Sequence, residues 1–462
     1  MLLIHVPKLT NRLGYTLNVV MRDLLQTDFA ITTDIDTFNA HDGARLCYGP
    51  TRVGGEEPVY LKSCHLLFET TIEEQECRCF DHDGLAALFP VFGRDTALPF
   101  DPLAAIFYML SRYEEYLPHR EDEHGRFMAT ESLAHRHGFL RTAVVDRWAL
   151  LIKEAILRQY PDTPFRPRQY HFVETVDIDA AYCYRCKGLF RTAMGILRDG
   201  LHRHDWKEVR RRLRVLHGKE EDPYDTFDYI LEQSAGRKNL SLLFFALLGD
   251  YGLYDKPTSY HNPAFRDLLQ RLGDSATVGI HCSYYTTEEP QKVEIETERL
   301  SDILHRSIVR NRFHFLRFHL PRDYRNLVRH GIVHDYSMGF AELPGFRCGT
   351  ASVVPFYDLS SDRESELHLH PFMAMDATFQ KYLGLTPDEA IPQMHALIDE
   401  VRAVGGTFCC IFHNQNLSES FGWQGWRRFY EDTLEYAGDL KSPCPTGRDP
   451  VDLVDSADAI TA

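Results

Sequence analysis

The chain has 462 residues, 44% of them hydrophobic and 26% charged, which is the composition of a globular protein with two or three domains and excludes a predominantly disordered chain. With 51 Lys and Arg against 67 Asp and Glu, the formal net charge is −16. Nucleic acids and anionic membranes bind clustered cations, so neither is expected as a general partner, and a small or neutral molecule is favoured instead.

The chain begins with a short apolar patch that His5 and Lys8 interrupt, unlike the apolar core of a signal peptide. The longest apolar run, Leu240–Leu248, is far shorter than the roughly 20 residues that cross a bilayer. The 11 cysteines are scattered, with one isolated Cys-X-X-Cys pair at Cys183 and Cys186, and we expect reduced thiols. These patterns predict a cytoplasmic protein without a transmembrane segment.

Residues 1–165 form the first predicted unit, an α/β domain of unknown role. Val59–Lys62 and His65–Phe68 have strand-like composition, and Pro102–Tyr116 has apolar residues at helical spacing. Asp101 precedes Pro102, a combination typical of a helix start. Residues 161–168 are rich in Pro and Arg and predict an extended connector.

Residues 169–440 alternate short apolar runs with amphipathic stretches, the pattern of strands and helices in a parallel sheet. A length of about 270 residues favours a closed barrel over an open sheet. The predicted fold is therefore α/β, a deformed (β/α) barrel preceded by a smaller α/β domain. Residues 441–462 are predicted to be a flexible tail.

Polar side chains stand at the ends of three of the apolar runs. In parallel α/β folds the catalytic and binding residues lie at the carboxyl ends of the strands. Asp177 and Asp179 lie two residues apart and therefore point the same way on an extended chain. His281 closes the run that starts at Thr277, and His413 closes the run that starts at Thr407. Two carboxylates and two imidazoles can supply metal ligands, a base and an acid.

These runs resemble the motifs of the polysaccharide deacetylases of carbohydrate esterase family 4. Thr175–Asp179 is similar to the first motif, His281–Ser283 to the second and Phe412–His413 to the last. The resemblance covers roughly residues 170–437. Residues 1–165, with Ser111–Glu115, resemble the uncharacterised N-terminal domain of a divergent bacterial branch.

The sequence departs from that family at the metal ligands. Ile178 separates the two aspartates, and Tyr285 stands where the second metal histidine is expected. Because catalytic zinc usually has three protein ligands, a replacement is needed, and His314 is our candidate since Arg312–Phe315 resembles the third motif. His319 is the alternative. Phe313–Phe318 is predicted to be a strand, and strand alternation would allow only one of the two histidines into the site.

The resemblance implies a role for each of these residues. Asp179, His281 and His314 would hold a divalent ion, most simply Zn²⁺, while Asp177 would act as base and His413 as acid. Arg312 would orient Asp177. Asp335, in a segment similar to the fourth motif, would orient His413.

Three further residues are candidates for substrate binding. Arg347 lies in a glycine-flanked loop and could clamp an anionic group, although pairing with a neighbouring acid is equally compatible with the sequence. Ser283 and Tyr285 offer hydroxyl groups next to His281.

The run from Arg198 to Arg214 is the one segment of the sequence in which basic residues are concentrated. We interpret it as a solvated helix face or as a surface for an anionic glycan or lipid headgroup.

The predicted function is a metal-dependent carbohydrate deacetylase that removes an N- or O-acetyl group from a sugar, glycan precursor or glycolipid headgroup. A catalytically silent glycan-binding or scaffold protein is the alternative, favoured by Tyr285 and a missing tryptophan in the fourth motif. Another carbonyl or phosphoryl hydrolysis is a third hypothesis, because a fold does not determine a reaction.

Overall fold

The computed structural model describes residues 1–93 and 95–438. The predicted tail therefore lies outside the described residues. The strands are β1 Leu2–His5, β2 Phe29–Thr32, β3 Arg45–Gly49, β4 Val59–Lys62, β5 Phe80–His82, β6 Leu85–Ala87, β7 His171–Ile178, β8 Leu240–Ala246, β9 Thr277–Cys282, β10 Arg310–Phe313, β11 His334–Asp335, β12 Val354–Asp358, β13 Arg363–Leu369, β14 Ala374–Met375 and β15 Thr407–His413.

The α-helices separate most of these strands and cover the sheets. They are α1 Asn11–Leu17, α2 Ile35–Asn39, α3 Pro102–Leu110, α4 Leu133–Arg136, α5 Val144–Gln159, α6 Gly188–Leu197, α7 Trp206–Leu216, α8 Phe227–Ser234, α9 Pro263–Ser275, α10 Lys292–Leu304, α11 Arg322–Arg329, α12 Pro387–Ala403 and α13 Trp426–Gly438. None of the helices in the described ranges is long and apolar enough to span a membrane.

The N-terminal residues build a small parallel sheet in the order β2-β1-β3-β4 and a separate β5-β6 hairpin. Helix α3 begins at the predicted residue, since the Asp101 carboxylate accepts a hydrogen bond from the backbone N–H of Ala104. Every residue of α3 is buried, which agrees with its apolar composition on all faces.

The larger sheet has nine strands in the order β12-β13-β11-β10-β9-β8-β7-β15-β14, all parallel except for the pairing of β12 with β13. The protein is thus a mixed α/β protein with a large, mainly parallel sheet. The predicted barrel is not closed among the described strands, because β12 and β14 are two edges that do not pair with each other.

Two predicted strands differ from the structure. Leu66–Phe68 forms a 3₁₀ turn rather than a strand. The strand expected near residues 313–318 instead covers Arg310–Phe313, and a 3₁₀ turn follows in which Phe315 has a φ of 61°. His314 therefore lies just beyond the strand, where alternation of faces no longer applies.

One continuous hydrophobic core joins the N-terminal residues to the large sheet. A buried ion-pair network lies at their junction, where Glu115 bonds to the guanidinium groups of Arg112 and Arg347 at 2.7 Å each. The two parts are therefore held together both by apolar packing and by buried ion pairs.

Candidate metal and catalytic site

The carboxyl ends of four strands of the large sheet converge at one site. Asp177 and Asp179 come from the end of β7, His281 from β9, His314 from the turn after β10, and His413 from the end of β15. Strand register aligns Asp177 with His413, and Arg312 with His281. Parallel strands place all their carboxyl ends at one edge, so residues far apart in sequence meet there.

Asp179, His281 and His314 form a compact cluster that could hold a metal ion, with ligand atoms all within 4.8 Å of one another. Asp179 Oδ1 lies 3.4 Å from His281 Nε2 and 3.6 Å from His314 Nε2. The structure thus brings the three predicted ligands together, and it places His314 rather than His319 among them.

Hydrogen bonds to the far side of each ring orient both histidines. His281 Nδ1 lies 2.9 Å from the carbonyl oxygen of Arg312, which can only accept, so Nδ1 carries the proton. His314 Nδ1 lies 2.7 Å from Asp255 Oδ1. The Nε2 atom of each ring then faces Asp179, the arrangement found in histidine ligands of metals.

The donor set fits a divalent ion. Asp179 Oδ1 is buried and has no hydrogen-bond donor among the described residues, although Gln415 Nε2 donates to its Oδ2 at 2.8 Å. Burial alone would raise the pKa of Asp179, but the neighbouring histidines His314, His413 and His281 hold it well below its usual value. Two imidazoles and one ionised carboxylate are ligands that Zn²⁺ accepts in catalytic sites.

Asp177 lies beside this cluster, with Oδ2 at 3.6 Å from His281 Nε2. Its other oxygen, Oδ1, lies 3.7 Å from Nε of Arg312, which is completely buried and donates a 2.9 Å hydrogen bond to Thr175 Oγ1. The guanidinium therefore faces Asp177 as an ion pair, the contact expected of a residue that orients it.

The acid that orients His413 is Asp376, and the expectation for Asp335 is wrong. Asp376 Oδ1 lies 2.8 Å from His413 Nδ1, and its Oδ2 accepts from the His413 backbone N–H at 2.9 Å. Burial by itself would lower the pKa of His413, but Asp376 and Asp179 raise it to about 9.

Asp335 is instead a structural residue of the sheet. It is fully buried, and it accepts hydrogen bonds from Asn311, Tyr324 and Ser337 at 2.8 Å each. Burial raises its pKa despite these bonds. Its position on β11, two strands beyond β9 in the sheet, directs it to neighbours other than His413.

Two of the substrate-binding candidates are engaged elsewhere. Arg347 is buried, paired with Glu115 and bonded to the carbonyl oxygen of Gly339 at 3.0 Å, so its guanidinium is not available to a ligand. Ser283 is also buried, and its hydroxyl and backbone N–H both donate to Glu296. These two assignments are wrong because buried acids of neighbouring elements satisfy both groups.

Tyr285 and His319 lie outside the cluster of candidate metal ligands. The half-buried Tyr285 ring packs near Tyr254 and lies 5.7 Å from the Lys292 ammonium. His319 Nδ1 lies 3.3 Å from Asp323, and its Nε2 lies 3.9 Å from Glu121. The 3₁₀ turn after β10 separates His319 from His314, which explains their different surroundings.

A large open cavity of about 1670 Å³ extends from this cluster. Asp179 and His314 line one part of it, together with the aromatic rings of Tyr254 and Phe315. Basic residues of α6 and α7 line another part. The cavity combines the three-residue ligand cluster with aromatic side chains, a lining typical of pockets that bind small molecules.

Sequence reasoning missed Asp255 and Asp376, the acids that orient His314 and His413. Asp376 directly follows the apolar run Phe372–Met375, so it carries the same strand-end signal as Asp177, although β14 has only two residues. Asp255 lies in a loop without such a signal. Only the tertiary structure brings it to His314.

Comparisons with known proteins give limited similarity. Residues 2–161 match a family of unknown function, DUF7033. No curated protein matches the sequence.

Among solved structures, a candidate polysaccharide deacetylase from Mycobacterium smegmatis is 13% identical with a TM-score of 0.40, covering 64% of this chain and 92% of its own. A polysaccharide deacetylase from Bacillus cereus is 10% identical with a TM-score of 0.27, covering 58% and 85%. A 4-alpha-glucanotransferase from Thermococcus litoralis is 11% identical with a TM-score of 0.34, covering 60% and 38%.

Proposed function

We propose that this chain is a metal-dependent hydrolase that removes an acetyl group from a sugar. The observation that carries the proposal is the convergence of a three-ligand cluster with Asp177 on β7 and with His413 on the adjacent strand β15, where Asp376 from the end of β14 orients it. Asp177 and His413 lie 3.6 Å and 4.0 Å from members of that cluster. The substrate class rests on the resemblance of the motifs and on the aromatic rings that line the cavity.

A divalent ion held by Asp179, His281 and His314 would polarise the acetyl carbonyl and lower the pKa of water at the site. Asp177 accepts the proton of the attacking water, and Arg312 orients its carboxylate. Asp376 accepts a hydrogen bond from the Nδ1–H of His413, so Nε2 faces the site. The Nε2 atom of His413 donates a proton to the departing amine or alkoxide.

The proposal is tested by acetate release from acetylated chito-oligosaccharides, together with metal analysis of the purified protein. Asp177→Asn keeps the shape of the side chain but removes the proton acceptor, so turnover should fall by at least about a hundredfold with metal retained. His319→Ala is the matched control, because that histidine lies outside the cluster, and it should leave both readouts unchanged.

Full activity in Asp177→Asn would exclude Asp177 as the base. A stable wild-type protein that contains no divalent ion and releases no acetate, even after addition of Zn²⁺, would favour the catalytically silent glycan-binding protein instead.

A further inference from the structure

Helices α6 and α7 and the π-helical turn between them form a helical hairpin, residues 188–216, that projects beside the cavity. The proposed reaction uses none of its residues. Its sequence contains the basic run from Arg198 to Arg214.

Helix α6, the turn and the start of α7 expose large apolar side chains, although Val209 and Val215 of α7 are buried. Helix α6 contains no buried residue, Leu189 is 91% exposed and Phe190 is 78% exposed. Phe190, Met194, Leu197 and Leu201 follow one another at helical spacing and are all at least half exposed, so they form one stripe. Trp206, at the start of α7, is also more than half exposed.

Polar groups hold the two helices together on the inner side. Arg212 Nη2 and Asp199 Oδ2 form a buried ion pair at 2.5 Å. A Cβ added to Gly195 would lie 2.7 Å from the Arg212 guanidinium, so a larger residue there would displace the guanidinium. Arg212 thus links α7 to α6 and to the turn, and the side chains of the apolar stripe remain exposed.

The charge of the hairpin is opposite to that of the whole chain. Residues 188–216 contain eight Arg and Lys against three acidic residues, while the net charge of the chain is −16. Lys207 and Arg210 are exposed and form no ion pair with any residue in the described ranges. Both also line the cavity, so the hairpin combines unpaired cations at the cavity with an apolar stripe on α6 and the following turn. This combination is complementary to the anionic headgroups and acyl chains of a lipid bilayer.

We propose that the hairpin of residues 188–216 docks on an anionic lipid bilayer, with its apolar stripe inserted among the headgroups. The acidic remainder of the molecule is repelled by such a surface, so attraction is confined to this face. Binding of a second protein would also bury the apolar stripe, but it would not explain why the hairpin carries an excess of unpaired cations.

The position of the hairpin gives this docking a consequence for the site. Arg191 and Met194 line the same cavity as Asp179 and His314, so a bilayer at the hairpin lies next to the cavity. An acetylated headgroup carried by a lipid in that bilayer would have a short path to the metal cluster. This consequence rests on the proposed function, whereas binding to the bilayer does not.

The test is co-sedimentation of the full chain with vesicles. We expect binding to vesicles of phosphatidylcholine and phosphatidylglycerol at low salt, weaker binding at high salt, and little binding to phosphatidylcholine alone. Absence of binding to the anionic vesicles at low salt would overturn the proposal, whatever the hydrolytic activity of the protein.

The double variant Phe190→Ser, Leu201→Ser should bind anionic vesicles at least about tenfold more weakly, because both side chains are removed from the apolar stripe. Phe92→Ser is the matched control, since Phe92 is 79% exposed but distant in sequence and outside the hairpin, and it should bind as the wild type does. Unchanged unfolding midpoints would show that both variants fold, and Leu197→Ser provides a second probe of the stripe.

Equal vesicle binding by wild type and the double variant would overturn the proposal. So would a wild-type dimer in sedimentation velocity without lipid that the double variant dissociates, because the stripe would then be an interface between two copies of this chain.

Discussion

Individual side chains in the site are oriented by neighbours that do not themselves face the cluster. Asp255, Asp376 and the Arg312 carbonyl each hold the Nδ1 atom of one histidine, so that Nε2 points inward. The identity of a ligand is thus visible in the sequence, whereas its orientation depends on a hydrogen bond from another element.

Replacement of His314 tests the choice of the third ligand. His314→Ala removes one of three ligands, so we expect the metal affinity to fall by a factor of at least ten and acetate release to fall with it. His319→Ala should change neither value, because its ring contacts Asp323 and Glu121 instead. Metal titration of both variants decides which histidine is the third ligand. A larger loss of metal affinity in His319→Ala than in His314→Ala would contradict the assignment.

Asp376→Asn tests the orientation of His413. The amide cannot stabilise an imidazolium as the carboxylate does, so we expect acetate release to fall about tenfold to a hundredfold while metal content is unchanged. The loss should be larger for an N-acetyl substrate than for an activated ester, since an amine leaves only after protonation. Equal losses on the two substrates would indicate that Asp376 affects binding rather than proton transfer.

The turn that follows β10 is the element that positions His314, and residues from the N-terminal part support it. Phe315 has a φ of 61° and its carbonyl oxygen accepts a 2.8 Å hydrogen bond from Arg126 Nη1. Arg126 is held in turn by Asp122 at 2.7 Å. A positive φ is unfavourable for a bulky residue, so neighbouring contacts must maintain this turn.

Arg126→Ala should therefore loosen the turn that carries His314. We expect metal affinity to fall several-fold, although the cationic Arg126 guanidinium is not itself a metal ligand. Arg126→Lys retains one cationic donor and should restore part of that affinity, a rescue that a general loss of folding would not allow. Wild-type affinity in Arg126→Ala would show that the 3₁₀ turn is stable without this contact.

On the scale of the whole molecule, the N-terminal part and the large sheet share one core and a buried ion-pair network. Arg112, Glu115 and Arg347 are almost completely buried, and they belong to both parts. Removing one member leaves charges without partners, which costs about 3–5 kcal/mol in comparable buried pairs. We therefore propose that residues 1–165 stabilise the sheet, in addition to any role in substrate choice.

Acid unfolding should show the contribution of this network. Burial alone raises the pKa of Glu115, but Arg347 and Arg112 lower it to about 2, compared with 4.5 in the unfolded chain. A lowered pKa stabilises the folded state above the unfolded value, and this stabilisation is lost as the pH falls from 4.5 toward 2. The loss amounts to about 3 kcal/mol.

Urea unfolding of wild type and Glu115→Gln between pH 7 and pH 3 measures this effect. The variant should be about 3–5 kcal/mol less stable at pH 7, and the difference should become smaller on acidification. A constant difference over this pH range would show that Glu115 is not the titrating group.

The sequence by itself determined the strand-end residues of the site. Asp177, Asp179, His281 and His413 each close an apolar run, and parallel strands necessarily bring such residues to one edge. The parallel α/β character of residues 169–440 followed from the same alternation. Local pattern was sufficient for these features because they depend on one strand and its end.

Only the tertiary structure decided which side chains form hydrogen bonds and ion pairs with one another. Asp376 rather than Asp335 orients His413, and Arg347 pairs with Glu115 from a distant segment. The sheet also remains open where a barrel was expected, since edge pairing between β12 and β14 is not encoded in either strand alone. Hydrogen bonds and ion pairs between remote elements depend on how those elements pack, which local periodicity does not contain.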